Sequence, residues 1–428
     1  MVLPAIVRLA TLALSISALL SAAEREVPAY SGGPERVRVL TGRERELLLT
    51  AARLFLGNAR DDEALSGLSG LDWPSLSDVA AKEGISGVLA LQLERLARTY
   101  RLSLPLEPLS LALRGTFVAN GALFAELLGL RAVLQEKRIR AILLKGGALA
   151  TTAYGGQIGL RPLSDLDLLM QEADLPVVRE ALVERGFRTA SPSGTLLTKG
   201  SVMFDLHHDL INASRIRRRT SAFHFDGEAL WKKAVPLDPG DRSLLVLSPA
   251  HQFLHLAVHA QKHSFSRLIW FLDLALVSRQ LDWEELLLQA QTTGTLRPVA
   301  YAAMGMARLL RVQIPAGVWV TLPSLSRLEA KFMDAVVARR AKEPSGELLV
   351  AFSIPSWIGK LGYLLEFTFP RRKVLSEVFP TGSATWFYLR RVGQILALAL
   401  TYLRDALRWE NPVEATKPDS ASRPAVGI

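Results

Sequence analysis

The chain has 428 residues, of which 49% are hydrophobic and 21% charged, a composition typical of a globular protein with two or three domains. It contains no cysteine, which excludes a disulfide framework, a thiolate metal site and a cysteine nucleophile. The 51 basic and 41 acidic residues give a net charge of +10. A basic surface suits nucleotides, nucleic acid or anionic lipid without choosing among them.

The first 30 residues form an apolar N-terminal segment. Leu9 to Ala23 is a run of apolar and small residues preceded by a single basic side chain, Arg8, and it is short for a transmembrane helix. Ser21-Ala22-Ala23 resembles a signal-peptidase site, although the preceding region carries little positive charge. A secretory signal, a helix packed on the body and an extension from a misplaced start codon all fit this pattern.

Residues 31–136 are predicted to form a helical N-terminal region. Thr41 precedes a stretch with capping-box spacing and an apolar stripe from Arg43 to Leu56. Further helices are predicted near Leu76, over Ser86 to Tyr100, and over Leu109 to Glu136. The last is long and rich in leucine and alanine, and we expect it to pack against a sheet.

Residues 137–240 alternate between strand and helix patterns, which predicts an α/β core with a small mixed sheet. An apolar strand from Ala141 to Leu144 ends at Lys145-Gly146-Gly147, and a helix is predicted from Ala148 to Tyr154. A second strand, Leu166 to Met170, is followed by a helix over Asp174 to Arg185. Gly194 to Leu210 has the pattern of a hairpin that turns at Lys199-Gly200.

Three carboxylates lie on or directly next to these strands, two of them in the stretch Ser164 to Met170. Asp165 and Asp167 have the spacing of residues that share one face of a strand, and Asp205 lies in the second arm of the hairpin. Two carboxylates this close repel unless a cation lies between them, and a divalent metal is the usual solution. A pair of glycines before a helix lets backbone N–H groups approach an anion, so Gly146 and Gly147 are candidates for holding phosphate.

Together these features resemble the polymerase-β-like nucleotidyltransferase superfamily, and most closely its bacterial nucleotidyltransferase family protein branch. The resemblance is carried by three motifs: Lys145 to Leu149, Arg161 to Asp167, and Asp205 to His207. It covers about Ile139 to Leu210, and an accompanying helical pattern extends it to about Leu276. The superfamily usually has Ser or Thr next to the glycines, whereas this chain has Ala148.

The resemblance implies roles for these residues. Asp165 and Asp167 would ligate two Mg²⁺ ions, and Asp205 would bind the catalytic ion and could take the proton from an incoming hydroxyl. The residues that would bind the nucleotide phosphates are Lys145, Gly146, Gly147 and Arg161. For Arg161 a second interpretation stays open, in which it pairs structurally with Asp165.

Histidines form a further set of candidates. Period two places His207 on the same side as Asp205, where it contacts substrate or simply packs. His251, His255, His259 and His263 follow at steps of four, without the His-Glu-x-x-His spacing of metalloproteases. The resembled branch has such a helix followed by Trp-x-x-Asp, here Trp270 to Asp273, which implies that His255 and His259 contact nucleotide or acceptor. Transition-metal binding and plain packing are the alternatives.

The remaining chain is divided into three parts. Residues 241–345 are predicted to form a helical domain that begins at Ser248-Pro249, and residues 411–428 a disordered tail. Residues 346–410 form an apolar and basic amphipathic region, with the basic block Arg371 to Lys373 and flanking arginines around Val392 to Leu403. Such a segment suits the interface of an anionic membrane, or a helix packed on the body with its arginines in solvent.

The expected activity is Mg²⁺-dependent transfer of a nucleoside monophosphate from an NTP to an acceptor hydroxyl, with release of pyrophosphate. The acceptor could be a glycan precursor, as in polysaccharide biosynthesis, a protein side chain or an RNA 3′ end. The alternative is a non-catalytic scaffold that binds nucleotide or membrane. Because an exported enzyme would find no NTP, a secretory signal is disfavoured, and we expect a cytoplasmic protein with or without peripheral contact to the inner membrane.

Overall fold

The computed structural model describes residues 42–371 apart from 192, 214 and 339–344, together with 374, 387, 388, 392 and 393. The apolar N-terminal segment, most of the basic amphipathic region beyond Arg371 and the predicted disordered tail lie outside the described residues.

The described residues contain one seven-stranded mixed sheet with the order β3-β4-β5-β2-β1-β7-β6. The central pairs β2/β5 and β1/β7 are parallel, and the other four pairs are antiparallel. The strands are β1 (Ala141–Leu143), β2 (Leu166–Leu169), β3 (Arg188–Thr189), β4 (Leu196–Lys199), β5 (Val202–His207), β6 (Val235–Asp238) and β7 (Asp241–Val246).

Helices flank this sheet, which confirms the predicted α/β architecture with N- and C-terminal helical regions. They are α1 (Gly42–Phe55), α2 (Asp61–Ser66), α3 (Trp73–Glu83), α4 (Ser86–Tyr100), α5 (Glu107–Glu136), α6 (Lys145–Thr151), α7 (Leu175–Glu184), α8 (Gly227–Lys233), α9 (Pro249–Lys262), α10 (Leu268–Ser278), α11 (Trp283–Thr293), α12 (Leu296–Leu310), α13 (Ala316–Thr321), α14 (Arg327–Val337), α15 (Ser345–Leu349) and α16 (Trp357–Thr368), with 3₁₀ turns at Glu172–Asp174, Arg217–Ser221 and Val350–Ser353.

The sheet is larger than the sequence indicated. The turn cluster at Leu237 to Gly240 was expected to end the core, but Leu237 and Asp238 belong to β6, and β7 follows directly. β7 then pairs in parallel with β1, so the sheet extends past residue 240 to Val246. The pattern was missed because β6 contains a proline, which is tolerated only on an edge strand such as this one.

Helix α6 begins three residues earlier than predicted and ends at Thr151 rather than Tyr154. The glycines that the sequence analysis placed in a turn therefore lie in the first helical turn, although glycine favours helices poorly. Packing explains this difference, because a Cβ atom on Gly147 would come within 2.7 Å of Leu166 Cδ2 and 2.9 Å of Leu143 Cδ1. Only glycine lets the helix approach the sheet so closely.

The long helix α5 packs on the sheet, as predicted, and fixes the loop that leads into β2. Its residues Leu123, Phe124, Leu127, Leu130 and Leu134 share one hydrophobic cluster with the strands. The buried Asn120 side chain donates to the carbonyl oxygens of Ile158 (2.6 Å) and Arg161 (2.8 Å) and accepts from the N–H of Leu163 (3.2 Å). The helix is long and apolar enough to cross a membrane, a test that core helices of soluble proteins also pass.

The two helical regions share one hydrophobic core even though the sheet separates them in sequence. Side chains of α1 and α4, such as Leu47 and Leu89, cluster with those of α9, α10 and α12, such as Phe253, Phe271 and Tyr301. A second cluster joins α5 to one face of the sheet. The helical body therefore forms one support that holds α9 and α10 beside the sheet.

Candidate active site

Two neighbouring parallel strands bring the acidic residues together. In the β2/β5 pair, Asp167 is the register partner of Asp205, and His207 follows two residues later on the same face as Asp205. One ligand atom from each of Asp167, Asp205 and His207 lies within 4.8 Å of the other two, a group that could hold a metal ion. The sequence predicted a metal site of Asp165, Asp167 and Asp205, with His207 as a substrate contact or a packing residue, and the parallel register of β2 and β5 brings Asp167, Asp205 and His207 together.

Two cationic side chains of the protein compensate the negative charge of Asp167. His207 Nε2 lies 2.8 Å from Asp167 Oδ1 and 3.1 Å from Asp205 Oδ2, and Lys145 Nζ donates to the same Oδ1 of Asp167. Burial acts to raise the pKa of Asp167, but the Lys145 and His207 charges and hydrogen bonds outweigh it and hold that pKa well below its usual range. Asp167 is therefore ionised at neutral pH.

The pKa of His207 is shifted in the opposite direction to that of Asp167. Burial acts to lower the pKa of His207, but its hydrogen bonds and charge interactions with Asp167 and Asp205 raise it to about 9. His207 is thus a cation at neutral pH in this arrangement, and a donor to both carboxylates. The sequence left open whether His207 packs or contacts substrate. In the structure, His207 lies on the wall of a cleft that is also lined by Asp165, Asp167 and Asp205.

Asp165 lies beside this group rather than within it. It precedes β2, is half-buried, and accepts a hydrogen bond from Ser164 Oγ at 2.7 Å. Burial and then the charge of Asp167 raise the pKa of Asp165. Nearby cations therefore offset the negative charge of Asp165 less than that of Asp167. Asp165 lines the same cleft. Its metal-ligand role stays a prediction, since it is not among the three residues whose ligand atoms converge.

Arg161 has a different partner from the one that the sequence suggested. Its Nη2 donates to Asp273 Oδ2 at 2.9 Å, and Tyr154 Oη donates to the other oxygen, Oδ1, at 2.9 Å. Asp273 is fully buried in α10, so this pair ties the loop before β2 to the helical body. Arg161 does form a structural ion pair, but its partner is Asp273 and not Asp165. Arg161 nevertheless lines the cleft.

The two glycines differ in position. Gly146 lines the cleft, and a Cβ atom there would lie 2.2 Å from Arg161 Nη1. Gly147 is buried against Leu143 and Leu166 and is not among the cleft-lining residues. Lys145, between the strand and these glycines, has a positive φ of 47°, a conformation that is uncommon outside glycine. The placement supports nucleotide contact for Lys145 and Gly146, and a packing role for Gly147.

The histidine row of α9 divides between the cleft and the core. His259 and His263 line the cleft and form an aromatic group with Trp270, with ring centroids 4.8 to 5.6 Å apart. His255 is buried and adjoins Lys145 and His207 in a smaller neighbouring pocket. Burial and then the charge of Lys145 lower the pKa of His255 to about 3, so it is neutral. His251 meets Ser248 Oγ at the start of the helix.

The cleft has a volume of about 660 Å³ and is rich in charged side chains. Sequence reasoning missed several cations on its wall, because they belong to no motif: Arg215, Lys262 and Arg267. Burial, followed by the charge of Arg219, lowers the pKa of Lys262 to about 8. The one available signal was spacing, since Lys262 follows His259 by three residues and so shares its helix face.

Comparison with curated proteins and with solved structures returned no match. The family described as uncharacterised nucleotidyltransferase matches residues 69–311, which is more than half of the chain. The matched range includes α5, the acidic residues of β2 and β5, and the histidine helix α9. The chain therefore belongs to this nucleotidyltransferase family.

Proposed function

We propose that the protein transfers a nucleoside monophosphate from an NTP to an acceptor hydroxyl and releases pyrophosphate, with Mg²⁺ as cofactor. Membership of a nucleotidyltransferase family supports transfer from an NTP in general. The observation that carries the finer proposal is the group of Asp167, Asp205 and His207 in a cleft that also holds Lys145 and Arg161. Acidic ligands beside cations in one cleft suit a metal-bound, polyanionic substrate.

The residues present fit a divalent ion with hard oxygen ligands. Both protein cations contact Oδ1 of Asp167, so Oδ2 is the oxygen of that carboxylate that neither cation occupies. Asp205 contributes a second carboxylate, whose side chain is 30% exposed. Asp165 would be the third if it turned from Ser164 toward the group. Bound Mg²⁺ would supply neutralisation of the developing charge on the phosphates.

The proposed roles of the chain's own residues follow from their placement. Asp205 would orient the acceptor hydroxyl and accept its proton, because it is the more exposed carboxylate of the converging group. Lys145, the Gly146 backbone and Arg161 would hold the phosphates. His259, His263 and Trp270 form an aromatic wall against which a base can stack. His207 would keep Asp167 ionised and would orient both Asp167 and Asp205.

We further propose that the fold belongs to the polymerase-β-like superfamily and that the protein acts in the bacterial cytoplasm, where NTP is available. The acceptor would be a glycan precursor, a protein side chain or an RNA 3′ end. The cleft cations Arg215, Lys262 and Arg267 support an acceptor or nucleotide that carries negative charge.

A non-catalytic scaffold is the second candidate. It is favoured by the side-chain contacts of Asp167, because Lys145 and His207 already compensate the charge of this carboxylate. In that case the site would bind nucleotide and not turn it over. The absence of a hydroxyl at Ala148, next to the glycines, points the same way.

The two candidates are separated by an assay of pyrophosphate release with each of the four NTPs, with and without Mg²⁺. The transferase proposal predicts Mg²⁺-dependent release that falls at least about a hundredfold in Asp205→Asn, equivalent to roughly 3 kcal/mol. Asp78→Asn, on the exposed face of α3, is the matched control and should retain full activity. Nucleotide binding by calorimetry without any release would favour the scaffold.

A further inference from the structure

Helix α16 presents an unusual face to solvent. Its large exposed side chains are Trp357 (72%), Ile358 (61%), Leu361 (51%) and Leu365 (52%), and they continue into Phe369 (49%). Spacings of one, four, eight and twelve residues from Trp357 place these five side chains within one stripe of the helix. We name this set the α16 stripe.

The stripe is not the core-facing side of the helix. Tyr363 and Phe367 point the other way and are buried with Ile354 and Phe223 in a separate hydrophobic cluster. The helix is therefore apolar on both its inner and its outer side. In a soluble helix the outer side is normally polar, so a contiguous apolar outer face indicates a surface that binds something.

Cations border one edge of the stripe. The Arg218 guanidinium lies against Gly362 of α16, and a groove beside the helix is lined by Arg217, Arg218 and Arg371 together with Leu365 and Phe369. Among the residues that the structure describes, one carboxylate lines this groove, that of Glu366. It accepts the backbone N–H groups of Arg217 (3.1 Å) and Arg218 (3.0 Å) and lies 3.5 Å from Arg371 Nε.

The α16 stripe and the arginines beside it together indicate the chemistry of the partner. An apolar strip flanked by three arginines against one glutamate is complementary to a layer of anionic headgroups over hydrocarbon. The chain that follows is consistent with it, since residues 390, 391, 404 and 408 are arginines around an apolar run. Tyr388, which belongs to that part of the chain, contacts Phe369 of the stripe, with ring centroids 5.8 Å apart.

We propose that the α16 stripe and its arginine border form a docking surface for an anionic phospholipid membrane, with α16 lying in the plane of the interface. Arg371 lines both the groove beside the stripe and the catalytic cleft, so the docked surface adjoins the cleft. The proposal does not depend on the transferase activity, because it rests on a different face of the molecule.

Vesicle flotation of the full-length protein tests it. Wild type should float with vesicles that contain phosphatidylglycerol and stay unbound with pure phosphatidylcholine, and added salt should weaken its binding through screening. Leu361→Glu with Leu365→Glu should reduce partitioning at least tenfold. Leu288→Glu with Val320→Glu, at two exposed apolar positions elsewhere, is the matched control and should float like wild type. Replacing Arg217 and Arg218 by serine should weaken binding roughly fivefold per arginine.

Three outcomes would overturn the proposal. Wild type that does not float with anionic vesicles even at low salt has no such surface. A stripe variant that floats like wild type places the lipid contact elsewhere, for example within residues 374–428. A wild-type dimer in sedimentation, lost in the stripe variant and accompanied by no flotation, would show that a second copy covers the face. Circular dichroism of the variants confirms that each comparison is made on folded protein.

Discussion

Asp167 shows how a single buried carboxylate is kept ionised. Its side chain is 6% exposed, and the energetic cost of burying a charge is high unless partners compensate for it. Lys145 and His207 provide that compensation from two different elements, α6 and β5. The spacing of the carboxylates predicts a cation between them, and a divalent metal is the expected one. The structure shows that side chains of the chain itself fill part of that role.

The left-handed backbone conformation of Lys145 costs free energy, and this predicts an unusual substitution pattern. Because its φ is 47°, glycine should be tolerated better than alanine by about 1 kcal/mol in the free energy of unfolding. Lys145→Gly and Lys145→Ala should both lower activity, since both remove the amine from Asp167. Chemical denaturation of the two variants measures the difference.

The control for this prediction is the same pair of substitutions at Lys82, an exposed position in α3 with ordinary helical conformation. There the order should reverse, with alanine more stable than glycine by about 1 kcal/mol. An alanine variant at position 145 as stable as the glycine variant would show that the left-handed conformation imposes no cost there.

Among the elements, the short helix α6 determines how closely the Lys145-Gly146-Gly147 turn, for which we propose nucleotide binding, approaches the sheet. Gly147→Ala should lower the free energy of unfolding by about 1–3 kcal/mol, because its Cβ atom would overlap Leu143 and Leu166. Gly146→Ala should displace the Arg161 guanidinium from Asp273, and it should therefore raise KM for the NTP in addition to lowering the free energy of unfolding. Thermal melting and steady-state kinetics on both variants separate the two effects.

Gly200→Ala, in the turn of the β4–β5 hairpin, is the control for both variants, because nothing lies near its Cβ position. Its positive φ of 58° predicts a modest loss of stability and no change in KM. If Gly147→Ala raised KM and left the melting temperature unchanged, Gly147 would belong to the nucleotide site after all.

Local patterns predicted the central elements well. The β4–β5 hairpin, strand β1, helix α4 and the start of α9 at Pro249 all lie where periodicity and turn residues placed them. Apart from β6, whose proline argues against a strand, the misses come from contacts between residues distant in sequence. Helix α6 includes its glycines because the sheet demands close approach, and β7 joins the sheet through pairing with β1, about a hundred residues earlier.

The candidate site was predicted in its composition and less well in its contacts. The family resemblance placed Asp167 and Asp205 in one site, and strand period placed His207 beside Asp205; the parallel register of β2 and β5 that brings the three together was not predicted. The partner of Arg161 was not readable, since Asp273 lies 112 residues away on a helix of another region. The same holds for the basic wall of the cleft, whose members come from separate loops and helices.

At the scale of the whole molecule, the Arg161–Asp273 pair links the catalytic core to the helical body. Asp273→Asn leaves a buried guanidinium without its countercharge, and we expect a loss of about 3 kcal/mol or more in the free energy of unfolding. Tyr154→Phe, which removes only one hydrogen bond to Asp273, should cost about 1 kcal/mol. Urea denaturation at neutral pH measures both.

The control is Asp334→Asn, which breaks an exposed ion pair with Arg308 and should cost less than about 1 kcal/mol. Asp273→Asn should also raise KM for the NTP, because Arg161 would no longer be held at the cleft. A small loss, equal to that of Asp334→Asn, would mean that the link between core and helical body carries little of the stability.

Transfer of the nucleoside monophosphate is tested by following the label from an NTP that carries ³²P at the α- or the γ-phosphate, with Mg²⁺ and a heat-treated cell extract as the source of acceptors. We predict that α-label enters an acceptor, that γ-label leaves only as pyrophosphate, and that Asp167→Asn abolishes both. Transfer of γ-label to an acceptor would identify a kinase instead. No transfer of either label, despite nucleotide binding, would contradict the proposed activity.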